Sequence, residues 1–194
     1  MLEFMKSNMS VLTRKLKSVL RPLSRAEERR AIQAALQYYQ SETSDASEAR
    51  FRLLGAELRL DKPPKRGAIP PRLIQVLLVD YTHKRNLDFS VDAKGKVIRS
   101  GDLGFQPAFH AEEVREAREL ADSDERLVRI LKKRGAFVSA FAPGSATDKE
   151  SRLLGLRYVV PSKKGVDHLA SAVINLSEGR LLSVTEHQTT TSKY

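Results

Sequence analysis

The stretch VLLVDYTHKRNLDFSVDAKGKVIRSGD, residues 76–102, reads as strand, polar loop, strand, Lys-Gly turn and strand. Residues 153–187, LLGLRYVVPSKKGVDHLASAVINLSEGRLLSVTEH, repeat that rhythm, with Ser177-Glu178-Gly179 standing where Lys94-Gly95 stands. Glycine in each turn is free to take positive φ, which tight hairpins require. A run of strands joined by short turns is an antiparallel meander, and its apolar face needs covering.

The segments ahead of each meander supply the cover. Ser24 and Glu27 form a capping-box pattern, and behind it AEERRAIQAALQYYQ places Ala31, Ile32, Ala35, Leu36 and Tyr39 on one helical stripe. RFRLLGAELR, residues 50–59, reads as a strand with Phe51, Leu53 and Gly55 on one side. The prolines of LDKPPKRGAIPPR, residues 60–72, exclude a helix or a central strand there. GDLGFQPAFH, residues 101–110, is a second connector. AEEVREARELADSDERLVRILKKRG, residues 111–135, predicts two short helices broken at Asp122-Ser123, with Asp122 capping the second, Glu125 answering it and Gly135 ending it. AFVSAFA, residues 136–142, is a strand, and Thr147 with Glu150 is a further capping-box pattern.

The order is therefore helix, four strands, helices, four strands, which places the chain in the α+β class. The expected architecture is two tandem helix-on-antiparallel-sheet, cystatin-like domains. Their bounds are 22–105 and 106–188, flanked by a basic tail or helix at 1–21 and a polar tail at 189–194.

Composition narrows the function. The 194 residues contain no Cys, which removes disulfides, thiolate metal sites and Cys nucleophiles. Formal net charge is +10, with +6 of it in residues 1–66. A basic chain invites a nucleic-acid reading. Against it, the basic residues are spread among acids, no recognition-helix or zinc-finger pattern occurs, and none of the 12 aromatics is interleaved with a basic cluster. No apolar run approaches the length of a membrane span. An intracellular, cytoplasmic protein is the expectation. The alternative is an organelle or membrane-surface address in the first residues, where Phe4, Leu12, Leu16, Val19 and Leu20 share a helical face beside Lys6, Arg14, Lys15 and Lys17.

Acid–base groups are densest at Asp80-Tyr81-Thr82-His83-Lys84-Arg85, at the end of a strand. Asp88 and Asp92 follow on one face of the next strand, where paired carboxylates could divide acid and base roles if one were buried. The competing reading is a solvated face with Asp92 fixing the turn. The catalytic candidates are Asp80, Tyr81, His83, Asp88 and His110. His83, His110, His168 and His187 are isolated in sequence, so no metal site is expected. Phosphate-binding and dinucleotide-binding glycine motifs are absent, and no cofactor is expected.

The pattern of turns and words resembles the two small α+β domains that precede the catalytic domain of copper amine oxidases. AVINLSEGRLLSVTE is similar to the end of the second such domain. NLDFSVDAKGKVIRSGDLGFQPAFHAEE is similar to the first, with Gln106-Pro107 ahead of Ala111-Glu112-Glu113, the helix and LKKRG matching the junction. The resemblance spans roughly residues 22–187. It implies the fold above. It implies no amine oxidation, because the Asn-Tyr-(Asp/Glu)-Tyr word that yields the quinone and the His-x-His of the copper site do not occur.

Three functions remain open. The leading one is a non-catalytic binding or assembly module that meets a protein partner or its own copy through sheet edges. The second is a cofactor-independent enzyme, an isomerase or cyclase, holding an apolar small molecule between sheet and helix. Nucleic-acid binding is third.

Overall fold

A computed structural model describes residues 13, 16–63, 65, 68–131, 135–143, 151–163 and 165–187. The elements run in the predicted order. Helix α1 (Arg25–Glu42) precedes β1 (Phe51–Leu60), β2 (Arg72–Asp80), β3 (Arg85–Asp92) and β4 (Val97–Asp102). Helices α2 (Ala111–Asp122) and α3 (Glu125–Leu131) precede β5 (Phe137–Phe141), β6 (Leu153–Ser162), β7 (Gly165–Asn175) and β8 (Arg180–Glu186). The strands make two four-stranded sheets in sequence order, β1 to β4 and β5 to β8, and the chain divides into two compact units. The first comprises Met1–Asp80 and Asn86–Leu103, the second Tyr81–Arg85 and Gly104–Tyr194. The fold is α+β, with helices over antiparallel sheets.

Each unit has its own core. In the first, α1 lies on β1, β2 and β4. It buries Ala31, Ala35 and Tyr39 against Ile74, Val76, Leu78, Leu87, Phe89 and Val91. Tyr39 meets Phe51 edge-on at 5.3 Å, and Tyr38 meets Phe89 at 6.1 Å. β1 departs from the simple alternation: a register shift between Leu53 and Gly55 sends Ala56, rather than Gly55, to the core. In the second unit, α2 lies on β6, β7 and β8, and α3 on β7 and β8. Large residues there face small ones across the strands, Tyr158 opposite Ala170 and Leu156 opposite Ala172, all buried.

The turns follow their chemistry. Asp92 Oδ1 accepts from the N–H groups of Lys94 and Lys96, while Gly95 takes φ 86°. In the matching β7–β8 turn, Asn175 Oδ1 accepts from Glu178 N–H and Gly179 takes φ 63°. The helix break falls at Ser123, but Asp124 rather than Asp122 caps α3, accepting from Arg126 and Leu127 N–H. Asp124 sits directly before the first helical residue, where a cap must stand. Residues 132–134, which adjoin the proposed Gly135 cap, and Thr147 with Glu150 lie outside the described residues, as do 1–12, 14, 15 and the C-terminal tail.

One device occurs in both units. The α1 capping box joins Ser24 and Glu27 as the sequence predicts. Glu27 then receives Arg72 Nε at 3.2 Å, and the same guanidinium donates to the carbonyls of Val19, Arg21 and Pro22. At α2, His110 is the cap and Glu113 completes the box. Glu113 receives Arg152 Nε at 2.6 Å and Nη2 at 2.7 Å, and Arg152 donates to the carbonyls of Pro107 and Ala108. Both arginines stand at the start of the second strand of their sheet. Each clamp ties the segment leading into the helix to that strand.

Arg152 and Glu113 are 2% and 0% exposed, so removing either partner leaves an uncompensated charge. Glu113→Gln should cost about 3–5 kcal/mol. Glu113→Gln with Arg152→Met should cost well under the sum of the singles, as a denaturant double-mutant cycle will show. Burial alone would raise the Glu113 carboxyl pKa; Arg152 overrides it and holds the group below its ordinary value. For Glu27 the Ser24 backbone N–H is the first cause, with Arg21 and Arg72 also contributing, and the pKa is lowered from 4.5 to about 2. Both carboxylates therefore contribute stability above the ordinary carboxyl pKa, and Glu27's contribution is lost as pH falls from 4.5 toward 2. Glu27→Gln should flatten the acid limb of a stability–pH curve.

Candidate functional site

Four of the five acid–base candidates are held by partners that serve the fold. Asp80, the last residue of β2, is 1% exposed and accepts from the Tyr39 hydroxyl at 2.7 Å, in the first unit. Tyr81 belongs to the second unit and donates to Glu113 Oε1 at 2.8 Å. His110 caps α2, its Nδ1 accepting from Glu112 N–H at 3.3 Å. Asp88 alternates with the buried Leu87 and Phe89, so it points away from their core. Its Oδ2 is ion-paired with Arg59 at 2.8 Å, and Arg59 also holds Asp61. Its Oδ1 is buried without a hydrogen-bond donor. His83 is half-buried in the β2–β3 loop.

Tyr81, His110 and Glu113 do come together, around Arg152. Phe109 closes that group, with the Arg152 guanidinium 4.7 Å above its ring. Glu113 is the shared acceptor: Tyr81 donates to it, Arg152 donates to both of its oxygens, and the His110 N–H donates to Oε2 at 2.7 Å. A carboxylate holding that many donors stays ionised and is a poor proton shuttle. Tyr158 is likewise kept protonated, first by burial and then by the neighbouring Asp122 charge.

Two features of the second unit carried no signal of their own in the sequence. Ser171 on β7 lies 3.0 Å from Nε2 of His187 just past β8, and His168 meets His187 edge-on at 6.5 Å. The β7–β8 pairing brings them together on an exposed part of the sheet. An open groove of about 320 Å³ lies between α3 and β8, lined by Arg126, Arg129, Ile130, Val184 and Glu186. None of the five candidates lines it. Among the described residues no group of His, Asp or Glu is placed to hold a metal ion, and no helix is long and apolar enough to cross a membrane.

The aromatics divide. Tyr39, Tyr81, Phe89 and Tyr158 are buried, whereas Phe105 and Phe137 are each 66% exposed. Exposed large apolar side chains also occur on every edge strand: Leu60 on β1, Ile98 on β4, Phe137 on β5 and Leu182 on β8.

The pairwise use of the candidates sets an expectation for substitution. Tyr39→Phe leaves buried Asp80 one donor short and should cost about 1–3 kcal/mol. His83→Ala, in a loop, should shift the denaturation midpoint little. Chemical denaturation of the two variants checks both.

No protein-family model matches the chain. A search of curated proteins finds no match either.

Proposed function

We propose that the chain is a non-catalytic binding and assembly module, a relative of the copper amine oxidase N-terminal domains whose 194 residues contain no oxidase site. One observation carries this reading. All four edge strands present an exposed large apolar side chain, and among the described residues no strand pairs with their outer sides. Edge strands recruit further strands unless charge, proline or cover blunts them, and β5 carries no charge. The buried ionisable pairs Glu27–Arg72 and Glu113–Arg152 and the Tyr39–Asp80 bond serve the fold, which fits a scaffold better than a reaction centre.

A second reading rests on the groove between α3 and β8. Two arginines beside Ile130 and Val184 would suit a small molecule with an anionic group and an apolar body. On this reading the chain is a cofactor-independent enzyme or carrier, with its site away from the five candidates.

Native mass spectrometry of the gently purified protein separates the two. The module reading expects a homo-oligomer or a stoichiometric protein complex with no added small mass. A monomer carrying a small molecule of defined mass, lost in Arg129→Ala, would overturn it in favour of the groove.

A further inference from the structure

The edge strands are not equally protected. β1 carries Arg52, Glu57 and Arg59, β4 carries Arg99 and Asp102, and β8 carries Arg180 and Glu186. β5, Phe-Val-Ser-Ala-Phe, carries no charge. It lies inside the longest uncharged run of the chain, residues 135–147. Charge on an edge strand is the usual guard against pairing with another chain, and β5 lacks it. One side of β5 pairs with β6, from Phe137 opposite Val159 to Phe141 opposite Gly155. Among the described residues no strand pairs with the other side.

The sequence of this edge reads nearly the same in both directions, Ala136-Phe-Val-Ser-Ala-Phe-Ala142. An antiparallel partner runs backwards, so such a strand is complementary to itself. We propose that β5 pairs with β5 of a second copy of the chain about a two-fold axis through Ser139. This gives the module reading a partner and a surface, and it rests on that reading.

The register follows from geometry. A two-fold axis perpendicular to the sheet keeps both copies' helices on one face. The pairing centred on Ser139 sets Phe137 opposite Phe141 of the other copy at both ends, and Val138 opposite Ala140. Moving the axis one residue to Val138 sets Phe137 against Ser139. Moving it to Ala140 sets Phe137 against Pro143, which has no N–H to donate. Only the Ser139 axis matches aromatic with aromatic twice.

The surface is prepared for that match. Phe141 lies flat over Gly155, where an added Cβ would stand 2.4 Å from the ring. Arg157 sits 4.8 Å above the same ring. Phe137, four residues earlier on the same face, stands 66% exposed. In the dimer each Phe137 would lie beside the other copy's Phe141, already seated on its glycine. The strands would add about four to six backbone hydrogen bonds, and the two sheets would join into one of about eight strands, within the common range.

The cysteine-free chain makes the test clean. Sedimentation equilibrium should show a monomer–dimer equilibrium. Phe137→Lys changes an exposed residue, so circular dichroism should be unchanged, while dimer dissociation becomes about tenfold or more easier. Ser139→Cys places two thiols on the axis, within disulfide reach of one another. Mild oxidation should convert it to covalent dimer far faster than Thr185→Cys, a control on the β8 edge.

A dimer that survives Phe137→Lys, or cross-links equally well through Thr185→Cys, overturns the β5 proposal and leaves the module reading standing. A heteromeric complex lost on Phe137→Lys also overturns it, replacing the second copy with a partner strand. A chain that is monomeric at every concentration and carries no protein partner overturns both.

Discussion

The arginine that opens the second strand of each sheet is the constraint on which the rest of the fold depends. An antiparallel meander with one apolar face must be covered by a helix, but packing alone leaves the helix free to slide and rotate on a surface of Leu, Val and Ala. Arg72 and Arg152 remove that freedom. Each guanidinium grips a carboxylate on the helix's first turn and, with its other N–H groups, the carbonyls of the approaching chain. The planar fork of arginine can do this; a lysine ammonium cannot. With the first turn fixed, Ala31 and Ala35 in one helix and Ala117 and Ala121 in the other follow at four-residue steps onto the sheet. Their small side chains let the helix approach closely.

The same economy explains where ionisable groups are found. Burying a carboxylate is costly unless donors surround it. Glu27 meets that requirement with the Ser24 hydroxyl and N–H and the guanidiniums of Arg21 and Arg72, and Glu113 with the His110 N–H, the Tyr81 hydroxyl and Arg152. Asp80 has the Tyr39 hydroxyl. Groups satisfied in this way are structural. The chemistry left facing outward is at the sheet edges and on the exposed part of β7 and β8, where Ser171, His168 and His187 lie.

Much of this order was legible from local signals. Period-two alternation marked the strands, Asp92 with Gly95 marked the hairpin, and Ser24 with Glu27 marked the first helix start. What could not be read depends on distance along the chain. Glu27 and Arg72 are 45 residues apart, and Glu113 and Arg152 are 39 apart. No window sees such a pair. His110 was a site candidate because imidazole suggests chemistry; as a helix cap it is an uncommon choice and gave no capping signal. Asp80 and Tyr81 are neighbours in sequence yet bond in different units, because backbone alternation at a strand end sends consecutive side chains apart. Ser171 and His187 meet only through the β7–β8 register. The bulge at Gly55 hid from alternation for the same reason that bulges exist, which is to break it.

The clamp also bears on how the two halves correspond. Both helices carry the word Ala-Glu-Glu near their start, at residues 26–28 and 111–113, and a reader would superimpose the words letter on letter. The fold does not. It uses the first glutamate of the word in one helix, Glu27, and the second in the other, Glu113. A shift of one residue turns an α-helix by about 100°. Matching the letters would therefore swing Ala117 and Ala121 off the sheet and expose the alanine face to water. Likeness between the halves is carried by the position of a charge relative to a strand, and it survives a slip that erases likeness in the text.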